Sequence, residues 1–193
     1  MHSSGGSLRR KLLLSTAVLV GTLTGYGRRS YAACVNTTGS TFECSGTETT
    51  TQAINFNNAD VVTVDDPAFS VDTTTTGGDA VTITGDGAIS YTDVYFSPLT
   101  AAEDALSIQS EGDVGTTPGS VTVTTNGVLD GASDGIFAEN SGSGFLSVTA
   151  NGNVTGGDNG IFAQNRGDGD VTVKAYGRVE GTTDAGIEVR DES

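Results

Sequence analysis

Eleven residues of this chain are written almost twice. "DGIFAENSGSG" occupies residues 134–144, and "NGIFAQNRGDG" follows 25 residues later with seven identical positions. A longer unit surrounds the phrase in three copies: "VTVTTNGVLDGASDGIFAENSGSG" from Val121, "LSVTANGNVTGGDNGIFAQNRGDG" from Leu146 and "VTVKAYGRVEGTTDAGIEVRDES" from Val171. Gly127, Gly152 and Gly177 align, as do Leu129, Val154 and Val179, then Gly131, Gly156 and Gly181. Ile136, Ile161 and Ile187 complete the match, the last after one inserted residue. A fixed period of this length restricts the chain to architectures in which one supersecondary unit stacks on copies of itself.

Each unit holds three short apolar pieces separated by Gly, Asn, Asp, Ser or Thr. The first alternates, Val121 and Val123 against Thr122 and Thr124. The second is brief, around Leu129 or Val154. The third sets Ile136 and Ala138 against Phe137 and Glu139. Period two with β-branched residues predicts strands with one buried face, and no segment carries a helical period. Three strands per unit make a coil with three sides, and stacked coils make an all-β, right-handed parallel β-helix. Equivalent residues then lie about 4.8 Å apart, so the interior becomes ladders: Ile136 on Ile161 on Ile187, and Val123 on Val148 on Val173. The glycines are assigned to corners that need positive φ. Asn140, Asn165 and Asp191 fall together at one corner, where stacked amides bond along the axis. Phe137 and Phe162 point outward and stack, forming a possible surface contact ladder for a sugar ring or a partner protein.

Upstream the copies decay. "DALSIQS" from Asp104 and "DAVTITGDG" from Asp79 read as third strands of earlier coils, with Leu106 thirty residues before Ile136 and Val81 twenty-five before Leu106. "ADVVTVDD" from Ala59 is a further strand, while "YTDVYFSPLT" and "EGDVGTTPG" read as loops leaving the helix. About six coils fit.

Residues 1–32 are not folding material. Arg9, Arg10 and Lys11 precede the apolar "LLLSTAVLVGTLTG" and a small-residue exit at "SYA", the layout of a secretory signal peptide. The apolar run is short of the roughly 20 residues a membrane span needs. "LRRKLLL" leaves the route, general or twin-arginine, open. The remaining chain divides into an N-terminal loop or cap, residues 33–51, and the β-helix, residues 52–193, clearest over 121–193. It carries four basic residues against all 24 acidic ones, a formal charge of −20. No Lys or Arg occurs between Ser30 and Asn165. Nucleic acid and anionic lipid are therefore excluded as partners. Cys34 and Cys44 predict one disulfide in an oxidising compartment. A lipidated Cys34 is the weaker alternative, since Tyr31 stands where a lipoprotein signal wants an aliphatic residue and Cys44 would be stranded.

Chemistry has little to work with. The single histidine, His2, lies in the signal, which removes His-based triads and His metal sites. Lys174 aligns with Thr124 and Thr149 on an outward face. Asp130 and Glu180 are carboxylates two coils apart, with Thr155 between them. "GGDNG" and "RGDGD" do not recur at the nine-residue period of a calcium roll, although Asp158, Asp168 and Asp170 are oxygen donors. "RGD" at Arg166–Asp168 reads as a corner. No catalytic residue, cofactor or metal site is expected.

Signal peptide, early cysteine pair and repeated "VTV…G.V.G…GI.A.N..G.G" resemble the passenger region of autotransporters, the type V secretion proteins of Gram-negative bacteria. That resemblance implies a surface-exposed, adhesin-like β-helical stalk that meets a host or abiotic surface, glycan or protein. It also implies export through a C-terminal outer-membrane β-barrel. No barrel pattern of alternating ten-residue strands with aromatic girdles is present. The terminal "GIEVRDES" has no evident cap other than Glu188, Arg190, Asp191 and Glu192. The expectation is therefore a passenger fragment at the cell surface, or a periplasmic protein if the barrel is truly missing. The alternative is a β-helical carbohydrate-active enzyme, a polysaccharide lyase or hydrolase.

Overall fold

The computed structural model describes residues 33–56, 60–112 and 119–192. The expected signal peptide lies outside these residues, as does most of "EGDVGTTPG". Among the described residues every regular element is a β-strand. A hairpin of β1 (Ala33–Thr38) and β2 (Thr41–Ser45) opens the fold. Short strands β3 (Thr47–Glu48), β6 (Ser70–Asp72), β9 (Leu99–Ala101), β12 (Leu129–Gly131), β15 (Val154–Gly156) and β18 (Val179–Gly181) build one sheet. Another contains β4 (Gln52–Phe56), β7 (Val81–Gly85), β10 (Leu106–Ser110), β13 (Ile136–Asn140), β16 (Ile161–Asn165) and β19 (Ile187–Asp191). The third continues from β2 through β5 (Asp60–Val64), β8 (Ile89–Asp93), β11 (Val121–Thr125), β14 (Leu146–Ala150) and β17 (Val171–Ala175). We call these the short, polar-corner and hairpin sheets. Each is six parallel strands deep, five coil-to-coil steps, so the molecule is a parallel β-helix.

The expected ladders are in register. Ile136 pairs with Ile161 and Ile161 with Ile187; Val123 pairs with Val148 and Val148 with Val173. Leu106 pairs with Ile136 and with Val81, as the upstream phrases predict. Along the ladder Phe42, Val62, Tyr91, Val123, Val148, Val173 the sequence steps are 20, 29, 32, 25 and 25 residues. The pairing stays constant while chain length varies because extra residues are placed at corners, where no ladder is broken. That is why the copies fade upstream although the fold does not.

One coil cannot hide its own interior. Ile161 and Val148 are fully buried, whereas Ile187 and Val189, on a coil with a described neighbour on one side only, are 42% and 49% exposed. At the other end, β1 pairs antiparallel with β2 and the Cys34–Cys44 disulfide ties them together. The 33–51 segment is therefore more than a cap: β1 covers the end of one sheet, while β2 and β3 pair parallel with β5 and β6 and already form the first coil.

The repeated glycines need a different explanation from the one expected. Positive φ occurs only at Gly39, Gly46, Gly77, Gly78 and Gly112 among the described residues. Gly127, Gly152 and Gly177 are not among them. A methyl group on Gly127 would overlap the Ser97 carbonyl, one on Gly152 the Gly127 carbonyl, and one on Gly177 the Gly152 carbonyl. The column is glycine because each corner is seated on the backbone of the corner below.

Candidate functional site

Three polar columns run along the axis, and each is built by the stacking itself. The first follows the last residues of β13 and β16. Asn140 and Asn165 are fully buried. The Asn140 amide donates to Asn165 Oδ1 at 2.9 Å and to the carbonyls of Gly142 and Gly144 at 3.0 and 2.8 Å. Asn165 donates in turn to the Gly144 and Gly169 carbonyls. Asp191 stands next in register. These side chains hold the corner loops of adjacent coils together.

The second column has a cause that no sequence argument singled out. Asp79, Asp104, Asp134 and Asn159 each stand two residues before the first residue of a strand in the polar-corner sheet. Asp79 Oδ1 accepts the Asp104 N–H at 3.0 Å, Asp104 Oδ1 the Asp134 N–H at 2.9 Å, and Asp134 Oδ1 the Asn159 N–H at 2.9 Å. Asn159 Oδ1 accepts the Ala185 N–H at 3.2 Å. Burial pushes the Asp104 carboxyl up to about 6, with Asp79 and Asp134 adding to the rise and the N–H it accepts from Asp134 opposing it. Asp134 is also raised, by burial first, against hydrogen bonds from Asn159. The signal was legible: an Asp or Asn heads each of "DAVTI", "DALSI", "DGIFA" and "NGIFA".

The third is Asp93, 2% exposed. Its Oδ1 accepts the Tyr95 N–H at 3.0 Å and the Ser97 hydroxyl at 2.9 Å. Its Oδ2 accepts the N–H groups of Ser97, Asn126 and Gly127 at 3.2, 3.2 and 3.0 Å. Five donors on one carboxylate offset its desolvation. Beside it, burial and the Asp93 charge drive the fully buried Tyr91 hydroxyl far above its ordinary pKa.

Phe137 and Phe162 do stack, with ring centroids 5.3 Å apart and planes 7° from parallel. The ladder is not the open contact surface expected of it. Phe162 is 7% exposed, because the Arg190 guanidinium lies 4.9 Å above its ring; Phe137 keeps partial exposure. Arg190 is itself held by Glu188 at 2.6 Å. Asp130, Thr155 and Glu180 are in register on the short sheet, which separates the two carboxylates by two coils. Lys174 pairs with Thr149 on an exposed face. Arg166 of the "RGD" corner is ion-paired with Glu139 at 2.6 Å and Glu192 at 3.8 Å. Among the described residues no group of three or more His, Cys, Asp or Glu is arranged to hold a metal ion.

Many of the buried polar groups thus have a partner in an adjacent coil; among the described residues the Thr125 hydroxyl is the buried side-chain group without a hydrogen-bond partner. No protein-family model, curated protein or solved structure matches the chain.

Proposed function

We propose that this chain is an exported, non-catalytic β-helical stalk of the autotransporter kind, displaying its sides to a surface, glycan or protein. The observation that carries the reading is the use made of its buried and partly buried carboxylates and amides. Asp79, Asp104, Asp134, Asp93, Asn140 and Asn165 all accept from or donate to the neighbouring coil. Polar groups engaged in this way stiffen a rod and are not aimed at a substrate. The disulfide between Cys34 and Cys44 supports an oxidising, exported setting. A downstream outer-membrane barrel belongs to the same proposal, and sequencing beyond Ser193 tests it.

One observation favours the second reading, a β-helical polysaccharide hydrolase or lyase. Asp104, with a pKa raised to about 6 and carboxylates on either side, has the character of a general acid. The two readings separate in one experiment. Purified chain is incubated with acidic and neutral polysaccharides and release of reducing ends or unsaturated products is followed. The stalk reading expects no turnover. Turnover abolished by Asp104→Asn would overturn it in favour of the enzyme.

A further inference from the structure

The corner between the hairpin sheet and the short sheet carries an aromatic projection. In the three coils from Val121 onward this corner takes three residues, 126–128, 151–153 and 176–178; after β8 it takes five, Val94–Pro98. Phe96 is 84% exposed, and Val94, Tyr95 and Val128 are 49%, 38% and 53% exposed. Pro98 is exposed as well and stands under Val128 by register. The backbone beneath is pinned. Asp93 holds Tyr95 and Ser97 from inside, and Asn126 donates from the coil above to the carbonyls of Asp93 and Val94 at 2.8 and 3.3 Å. Gly127 seats directly on Ser97. Five neighbouring apolar side chains held outward by a fixed backbone form an interaction patch, since ordering entropy is lost before any partner arrives.

Charge selects the partner. No Lys or Arg occurs between Ser30 and Asn165, so no cation borders this corner from its own or the adjacent coils. Asp65 follows Val64, whose carbonyl accepts the Val94 N–H, and is exposed one coil below. Asp72 and Asp130 are exposed on the adjoining short sheet, separated by Thr100 in register. Aromatic faces with carboxylates on the coil below and on the adjoining sheet attract guanidinium and ammonium groups and repel anionic lipid or polyanions. We infer that the Val94–Pro98 corner with Val128 is a docking surface for a cationic polypeptide segment in which Arg or Lys alternates with apolar side chains. This deepens the display reading and rests on it for the face being free.

The test uses the full chain and a fluorescein-labelled peptide of arginine and leucine in equal number, read by anisotropy at low and high salt. The same peptide with glutamate for arginine and a neutral glucan hexasaccharide serve as further probes. The arginine probe should bind, weaken with salt, and weaken about tenfold on Phe96→Ala. Phe145→Ala, which removes a half-exposed aromatic from a different corner, should change affinity by less than about twofold. Phe96 is nearly free of packing, so its replacement leaves circular dichroism unchanged. Equal binding by the Phe96→Ala and Phe145→Ala variants would reduce the attraction to general acidity and overturn the assignment. Saturable, salt-independent binding of the glucan without the arginine peptide would overturn it in favour of a sugar site. Neither result touches the stalk reading, which fails on turnover.

Discussion

Replacing Asp104 by asparagine should stabilise this protein at neutral and alkaline pH. Asp104 is partly buried between Asp79 and Asp134, and its carboxyl is raised from 3.8 to about 6. A raised carboxylate works against the fold when ionised. Above pH 6 both folded and unfolded chains carry the charge, and the folded state bears the whole penalty. As pH falls through 6 the folded chain takes up a proton before the unfolded chain does, so stability rises until about pH 3.8, where both are protonated. A rise of about two pH units corresponds to about 3 kcal/mol, and partial access to solvent reduces this to roughly 1–2 kcal/mol. Asparagine removes the charge and keeps Oδ1, so the Asp134 N–H retains its acceptor; further along the same column Asn159 already accepts an N–H in this way. Urea unfolding followed by far-ultraviolet circular dichroism at about pH 5 and about pH 8 measures the effect. The wild type should have the higher midpoint at the lower pH. Asp104→Asn should raise the midpoint at the higher pH and shrink the difference between the two. Asp104→Ala, which leaves the Asp134 N–H without its acceptor, should lose about 1–2 kcal/mol. A lowered midpoint for Asp104→Asn at the higher pH, or an undiminished pH difference, would refute the reasoning.

The same chemical change should have unequal effects on two residues of one ladder. Ile161→Ala, at a fully buried position, should destabilise by about 3–4 kcal/mol, and Ile187→Ala, 42% exposed, by about 1 kcal/mol, measured as denaturation midpoints. Gly152→Ala should lower the thermal midpoint by the equivalent of about 2 kcal/mol or more, because its methyl group meets the Gly127 carbonyl, which is backbone and cannot turn aside. Joint replacement of Cys34 and Cys44 by serine, or reduction by dithiothreitol, should remove about 2–3 kcal/mol. The loss should be seen first as hydrogen exchange in β1 and β2, with the coils from Val121 onward unaffected.

Much of this architecture is legible in the chain itself. A period of 25 residues with alternating Val, Ile and Thr cannot be accommodated except by coils that lie in register, so the Ile136, Ile161, Ile187 ladder followed from spacing alone. The upstream strands at Val81 and Leu106 followed from the same logic. Repetition is a local property of the chain, and a parallel stack turns it directly into contact. The tertiary structure decided what repetition does not encode. It assigned the glycine column to backbone seated on backbone, because closeness between coils is not written in any one of them. It placed Arg190 over Phe162, since the partner lies in the following coil. It drew Asp79, Asp104 and Asp134 into one column, in which burial raises the pKa of Asp104 and Asp134, and that burial depends on how much water the stacked corner excludes. And it divided "YTDVYFSPLT", which read wholly as a loop, into the end of β8, the start of β9 and between them a fixed aromatic corner, Val94–Pro98, because the carboxylate that holds the corner, Asp93, gathers donors from two coils that lie more than thirty residues apart.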